Sequence, residues 1–137
     1  PRTKKSFDKL NFKNKNKIKF LKPFGFFEYI KLQLDAKCVM SDSGTITEES
    51  SILNFPALNL RETHERPEGM EEGSVMMVGM NEKLILNCLK IIEDQYKSDK
   101  KILNNVRAYN VQNVSDKIVR IISSYIDYVD KFIWKKN

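Results

Sequence analysis

The pattern of hydrophobic and polar positions along the chain predicts alternating strands and helices. Residues 17–21 alternate between polar and apolar side chains, which predicts a strand, and the apolar spacing over residues 26–34 predicts a short helix. The pattern further predicts strands at 38–40, 57–60 and 74–78, helices at about 45–53, 81–96 and 115–135, with Ser115 as the last cap, and a polar loop at 61–73. Residues 98–114 give no clear pattern. This order predicts an α/β fold with a sheet of parallel strands.

The positions of ligand-binding loops follow from this order, because parallel sheets bind ligands at the carboxyl ends of their strands. Three loops follow predicted strands, at residues 22–26, 41–45 and 61–73. Functional side chains are therefore expected in these loops.

Composition narrows the class of protein. The chain has 137 residues, enough for about one domain, and no apolar run approaches the roughly 18 residues that span a bilayer. Its start lacks the apolar core of a signal peptide, and Cys38 and Cys88 lack metal-binding spacing, which predicts a cytoplasmic protein with two buried, reduced thiols. His64 is the single histidine, and these residues suggest neither a metal nor a redox cofactor.

The net charge of +6 is unevenly distributed. Residues 1–22 hold nine basic side chains against Asp8 alone, whereas residues 40–75 hold eight acidic side chains against Arg61 and Arg66. A basic run can bind nucleic acid or an anionic membrane surface. This run lacks interleaved aromatic side chains of the stacking type and any recognisable recognition helix, so we expect a solvated lead-in to the first strand, and neither nucleic acid nor membrane as a partner.

The strongest local motif is a predicted strand, polar turn and helix start around Gly44. The backbone N–H groups of a helix start can hold a phosphate, and Ser43 and Thr45 would add hydroxyl donors. Thr45 and Glu48 also have the spacing of a capping box, which would make the turn purely structural, and both interpretations stay open. Glu49 could accept hydrogen bonds from the two vicinal hydroxyls of a nucleotide ribose, or it could lie on a solvated helix face.

The polar loop 61–73 carries two arginines in an acidic stretch. Arginine suits bidentate contact with phosphate, but spacing alone favours surface ion pairs of Arg61 and Arg66 with the nearby Glu62 and Glu65. His64 is a candidate acid or base, although simple solvent exposure explains it as well. The aromatic residues at 24–29, which include Tyr29, could stack on a base, but core packing is the simpler explanation.

Together these motifs resemble the C-terminal domain of the non-hydrolysing UDP-N-acetylglucosamine 2-epimerases. That family carries Asp-Ser-Gly-Gly-Ile-Gln-Glu-Glu, then Arg-x-x-Thr-Glu-Arg-Pro-Glu, then Val-Gly; this chain has DSGTITEE at 42–49, RETHERPE at 61–68 and VG at 78–79. Thr45, Thr47 and His64 stand where the family has Gly, Gln and Thr. Order and spacing agree over essentially the whole chain. Its opening resembles the end of the family's His-Pro motif, so we expect the back part of a longer enzyme.

The resemblance implies two Rossmann-like domains that face each other across a cleft, as in the B-type glycosyltransferases. Residues 1–137 would form part of the C-terminal, UDP-binding domain. The implied UDP-binding residues are Ser43, Gly44 and Thr45 at the diphosphate, Arg66 to neutralise it, Glu49 at the ribose hydroxyls and Tyr29 against the uracil.

The reaction that the resemblance implies is inversion at C2 of a UDP-2-acetamido sugar, by elimination and re-addition of UDP. The groups that move the C2 proton would lie outside this chain, with His64 and Glu65 as local candidates. Thr45, Thr47 and His64, together with the C-terminal residues, are similar to the capsule and O-antigen branch of the family, which includes UDP-N-acetyl-fucosamine-type 2-epimerases. A UDP-sugar glycosyltransferase half and a non-catalytic UDP-binding module are the alternatives. We expect a UDP-sugar as ligand, and a homodimer formed through an open sheet edge or the last helix.

Overall fold

The computed structural model describes residues 2–10, 15–63, 65–96 and 105–136, which belong to two compact units, 1–32 and 33–137. The first unit contains helix α1, Arg2–Lys9, a 3₁₀ turn at Lys15–Lys17 and the first turns of helix α2, Phe26–Asp35. The rings of Phe7 and Phe20 meet edge to face with centroids 4.9 Å apart, and Lys15 Nζ lies 5.7 Å from the Phe7 centroid. This cluster joins α1 to the segment that precedes α2.

Two predictions for the first unit are wrong. The basic run forms α1 instead of a lead-in to a strand, and residues 18–21 form no strand. Ile18 and Leu21 are exposed there. An alternating segment becomes a strand only where a neighbouring strand pairs with it and one face is buried, and the described residues of this unit contain no other strand. The helix predicted at 26–34 is confirmed as α2.

The second unit is built on a three-stranded parallel sheet in the order β1-β2-β3. The strands are β1, Val39–Ser41, β2, Ala57–Asn59, and β3, Met76–Met77. Val39 pairs with Ala57, and Leu58 pairs with Met76. The predicted parallel sheet is confirmed, with strand ends that differ from the prediction by one or two residues.

Both faces of this sheet are covered by helices. Helix α3, Ile46–Leu53, packs on one face in a buried cluster of Ile46, Phe55, Ala57 and Val75. Helix α5, Glu82–Tyr96, packs on the other face in a cluster of Leu58, Val78, Cys88 and Ile92. Successive side chains of a strand point to opposite faces, so Ala57 and Leu58 enter different clusters. The helices predicted at 45–53 and 81–96 are confirmed.

Two further helices differ in detail from the prediction. A short helix, α4, Pro67–Glu71, forms inside the predicted loop 61–73, because proline is well tolerated in the first turn of a helix. The last helix, α6, is Val114–Tyr128 and continues into a π-helical turn at Val129–Ile133. Its N-cap position is occupied by Asn113, in the left-handed conformation with φ 59° and without a side-chain cap hydrogen bond, and not by Ser115 as predicted. Arg107–Tyr109 forms a 3₁₀ turn, and residues 97–104 lie outside the described residues.

Helix α6 and the turn after it present apolar side chains to solvent. The exposed set includes Ile118, Ile121, Ile122, Tyr125, Ile126, Phe132 and Trp134. None of the helices in the described part of the chain has both the length and the apolar character that crossing a bilayer would require. Helix α6 is short and amphipathic: one side carries these apolar residues, and Asp116, Lys117 and Arg120 are among its polar residues.

Raising the pH should destabilise the second unit through Cys38, which precedes β1 and is half-buried. Burial raises the pKa of this thiol from its ordinary value of 9.0 to about 11. Between these values the unfolded state binds fewer protons than the folded state, so the free energy of unfolding falls as the pH rises from 9.0 to about 11. Urea unfolding of the wild type and Cys38→Ala across this range measures the effect. An equally steep loss of stability in Cys38→Ala would contradict it.

Candidate functional site

The loops that follow β1 and β2 leave the sheet side by side. Ser41 ends β1, and its carbonyl accepts a hydrogen bond from Leu60 N–H at 2.9 Å. Asn59 ends β2, and its Oδ1 accepts from Arg61 N–H at 3.0 Å, which turns the chain and places Arg61 at the carboxyl edge. Loops 41–45 and 61–73 therefore meet at this edge, as predicted. The third predicted loop, 22–26, belongs to the other unit.

The turn between β1 and α3 is organised by its own hydroxyl groups. Ser43 N–H donates to Ser41 Oγ at 3.0 Å, and Thr45 N–H donates to Ser43 Oγ at 3.3 Å. Thr45 Oγ1 donates its single hydrogen to Glu49 Oε1 at 2.6 Å, because a carboxylate only accepts. Ser43 Oγ must then be the donor in its 3.0 Å contact with Thr45 Oγ1. These bonds fix the turn and aim two hydroxyls across its exposed surface.

The capping-box interpretation of Thr45 and Glu48, one of the two left open by the sequence, is wrong. Thr45 makes no side-chain cap hydrogen bond to α3, and the Glu48 carboxylate bonds instead to Nε of Arg66. This ion pair joins residues 18 positions apart, and the short-range capping rule cannot anticipate it. The side chain of Thr45 therefore accepts no hydrogen bond from the first backbone N–H groups of α3. A helix N-terminus whose N–H groups lack a side-chain cap favours the binding of an anion.

Two guanidinium groups lie over Gly44. A Cβ atom placed on Gly44 would lie 2.9 Å from Nη1 of Arg66 and 3.5 Å from Nη1 of Arg61. The hydrogen bond with Glu48 raises the pKa of Arg66 above its ordinary value, so this guanidinium stays charged. The positive end of α3 and both arginines thus converge on the turn at 43–45. Gly44 leaves room for them that any side chain would fill.

Both arginines form ion pairs with glutamates, as spacing favours, but the partners are Glu65 and Glu48. Arg61 Nη2 lies 2.8 Å from Glu65 Oε1, and Arg66 Nη1 lies 3.6 Å from Glu65 Oε2. The Glu65 side chain is 59% exposed, so these contacts are weak and easily exchanged for another anion. Glu65, a candidate proton carrier, therefore lies beside the arginines, whereas His64 lies outside the described residues.

Glu49 is held on both carboxylate oxygens and does not lie on a freely solvated helix face. Thr45 donates to Oε1, and Nε2 of Gln33 donates to Oε2. A carboxylate has about four lone-pair sites, so each oxygen keeps one for a further donor. Glu49 remains able to accept two hydroxyl groups of a ligand.

Two side chains near this site were not predicted from the sequence. Gln33 is the first, and no local motif marks it. Tyr109 is the second: burial, followed by the carboxylates of Glu68 and Glu48, raises the pKa of its phenol to about 12, which keeps the hydroxyl protonated. A Cβ atom on Gly69 of α4 would lie 2.9 Å from the Tyr109 hydroxyl and would clash with Thr47. Glycine at this position lets α4, which begins directly after Arg66, approach α3 closely.

The structure places Tyr29 at the surface of the protein. Tyr29 lies on α2 within the first unit and is 40% exposed, so it is not the core aromatic that composition favours. An exposed ring of this kind can stack on a base.

These features define the second unit as a Rossmann-like α/β domain with a polar, cationic turn at the carboxyl edge of its parallel sheet. The family model for UDP-N-acetylglucosamine 2-epimerase matches residues 1–123. The chain belongs to this family, as its motifs predict. The UDP-N-acetylglucosamine 2-epimerase of Methanocaldococcus jannaschii is 34% identical over 129 residues, which cover 90% of this chain and 33% of that protein.

Solved structures of family members share the fold. The UDP-N-acetylglucosamine 2-epimerase of Rickettsia bellii superposes with a TM-score of 0.82 and 47% identity, over 99% of this chain and 38% of that one. The M. jannaschii enzyme in complex with UDP-GlcNAc and UDP gives a TM-score of 0.70 and 34% identity, over 90% of this chain and 34% of that one. These neighbours have the B-type glycosyltransferase-like fold, which confirms the predicted fold class. The chain spans about a third of the length of these relatives.

Proposed function

We propose that the chain is the C-terminal, UDP-binding part of an epimerase that inverts C2 of a UDP-2-acetamido sugar. One observation carries the proposal: Arg61 and Arg66 converge over Gly44 at the start of α3. Guanidinium forks and a helix N-terminus are each suited to phosphate, and a diphosphate would occupy both together. The solved complex of the M. jannaschii relative with UDP-GlcNAc and UDP supports this class of ligand.

Each proposed contact uses chemistry that the site offers. At the turn, Ser43 can redirect its hydroxyl, and Thr45 its backbone N–H, to a phosphate oxygen, while the Thr45 hydroxyl stays bonded to Glu49. Arg66 neutralises the diphosphate and Arg61 lies next to it. Glu49 accepts the ribose hydroxyls with its remaining lone pairs. Tyr29 stacks on the uracil, a role that rests on the family resemblance and on its exposed ring.

Such a site would serve an elimination and re-addition reaction. A base removes the proton from C2 while the C1–oxygen bond breaks, which releases UDP and leaves a glycal with a C1–C2 double bond. An acid then returns a proton to the other face of C2 while UDP re-forms the bond at C1. This half of the enzyme stabilises the charge that develops on the departing diphosphate and retains UDP for the return step. We assign the proton carriers to the other domain, and a positioning role to His64 and Glu65.

A departure from the family pattern bears on the choice of sugar. Thr45 replaces a glycine, and its hydroxyl lies between Ser43 and Glu49 at the proposed ligand surface. We propose a UDP-N-acetylglucosamine or UDP-N-acetyl-fucosamine-type substrate, used for a bacterial surface polysaccharide. The family match favours this reaction over a glycosyltransferase half or a non-catalytic module.

Titration of the 137-residue chain with UDP, followed by NMR, tests the proposal. UDP should bind weakly, because half of the cleft is absent, and should shift the backbone signals of residues 43–45 and Glu49. Uridine, which lacks the diphosphate, should leave the turn signals unchanged. Ser43→Ala and Glu49→Ala should each weaken UDP binding. Equal responses to UDP and uridine would contradict a diphosphate site at this turn.

We further propose that the chain self-associates as a homodimer through the apolar side of α6. Ile122 lies in the middle of that side and is exposed. A charge there would be desolvated in any interface, so Ile122→Asp should dissociate the dimer in sedimentation experiments. Ser123→Asp, at the neighbouring exposed polar position, is the matched control. A wild-type monomer at high concentration contradicts self-association, and a dimer that survives Ile122→Asp points to the open sheet edge instead.

A further inference from the structure

Helix α2 buries a glutamine and exposes its aromatic side chains, which reverses the usual arrangement. Gln33 is 2% exposed, whereas Phe27 on the same helix is 83% exposed. Every residue of α2 is described, and Gln33 is the one that is buried. Glutamine is mostly found on protein surfaces, and its amide is costly to bury without hydrogen-bond partners. A specific interaction must therefore account for its position.

The partner of Gln33 is the proposed ribose-binding carboxylate. Nε2 of Gln33 donates a hydrogen bond to Oε2 of Glu49. A carboxylate can only accept, so this bond fixes which end of the amide faces Glu49. The other end, Oε1 of Gln33, is buried with no hydrogen-bond partner. A side chain that merely filled this space would be more stable as leucine or methionine, because the unpaired carbonyl would be removed.

A second observation concerns position 47. Thr47, on the same helix as Glu49, is 0% exposed and has a buried hydroxyl without a hydrogen-bond partner. Thr47 therefore makes no bond to Glu49. The amide that Glu49 contacts in this chain comes from a different helix, through Gln33.

We infer that Gln33 is a positioning residue that orients Glu49 for the two vicinal hydroxyls of a nucleotide ribose. This inference rests on the proposed function and deepens it. With Thr45 bonded to Oε1 and Gln33 bonded to Oε2, the carboxylate cannot rotate freely, and its remaining lone pairs keep one direction. An acceptor that is already oriented loses less entropy when the ligand binds.

The test compares UDP with dideoxy-UDP, which lacks both ribose hydroxyls, in titrations of the 137-residue chain. Gln33→Met removes the amide at nearly constant volume. It should weaken UDP binding about fivefold to tenfold, leave dideoxy-UDP binding within about twofold, and keep or raise the melting temperature. Gln112→Met makes the same chemical change at an exposed glutamine and should alter neither affinity. Glu49→Gln should weaken UDP binding, and adding Gln33→Met to it should cause little further loss.

Gln33→Glu provides an independent test of the positioning role, and this test suffices if Gln33→Met does not fold. A second carboxylate beside Glu49 would repel it, but a protonated one could donate in place of the amide. Binding of UDP, relative to dideoxy-UDP, should therefore improve on acidification in Gln33→Glu and not in the wild type. Absence of this recovery would overturn the inference.

The remaining outcomes separate the inference from the proposed function. Should the wild type bind UDP and dideoxy-UDP equally, Glu49 does not contact the ribose, and both the inference and that part of the proposed function fail. If Glu49→Gln abolishes the preference for UDP while Gln33→Met preserves it, the proposed function stands and the inference alone is overturned. A lower melting temperature with equal weakening of both ligands would assign Gln33 a purely structural role.

Discussion

Replacing Arg66 by alanine should weaken UDP binding by about 1.5–3 kcal/mol, or roughly tenfold to a hundredfold. The Arg66 guanidinium lies over Gly44, and it is held there by the Glu48 carboxylate. The substitution removes a charged donor and also leaves Glu48 without that cation, close to the anionic ligand. Both changes act in the same direction, so Arg66→Ala should have the largest effect on affinity of any single substitution at the turn.

Two further variants make this prediction specific to the geometry of Arg66. Arg66→Lys keeps the charge but loses the planar fork, so it should recover only part of the affinity. Arg120→Ala removes an equal charge from an exposed position on α6 and should leave UDP binding unchanged. An unaltered affinity in Arg66→Ala, measured by titration with UDP, would remove Arg66 from the proposed site.

The order of elements and the edge of the sheet that carries the site could be predicted from the sequence. The spacing of apolar residues is a local property of the sequence. It is therefore visible directly in the amphipathic stretch at 81–96 and in the apolar stretches at 57–60 and 74–78, which form a helix and two strands. Once the strands are parallel, geometry brings their carboxyl ends together, so loops 41–45 and 61–73 had to meet. Residues 17–21 do alternate between polar and apolar side chains. They form no strand because no neighbouring strand among the described residues pairs with them.

The side-chain pairs within the site could not be predicted, because they join distant parts of the chain. Glu48 has the spacing of a capping box with Thr45, yet it bonds to Arg66, 18 positions away. Glu49 takes a partner 16 positions before it, on a helix whose buried residue is a glutamine among apolar neighbours. A capping rule considers only partners that are close in sequence. In the folded chain the sheet brings Glu48 and Arg66 together, and their charged hydrogen bond forms in place of the helix cap.

The chain by itself should not epimerise a UDP-2-acetamido sugar, whereas a longer protein that joins it to a second Rossmann-like domain should. Inversion at C2 needs one group to remove the proton and another to return it from the opposite face. Within the described residues near the turn, the Glu65 carboxylate is in contact with Arg61 and Arg66, so it is placed to position these arginines. The chain spans about a third of its relatives' length, and the missing proton carriers are expected in the remainder.

Incubation of both proteins with the UDP-sugar in heavy water, followed by NMR of the C2 position, measures this difference. The longer protein should incorporate deuterium at C2 of the product and release traces of UDP and glycal, because the returned proton comes from solvent-exchanged groups. The 137-residue chain should bind UDP and show no exchange at C2. Turnover without deuterium at C2 would exclude the elimination mechanism. Turnover by the short chain would show that the proton carriers lie within residues 1–137, with His64 and Glu65 as the first to replace.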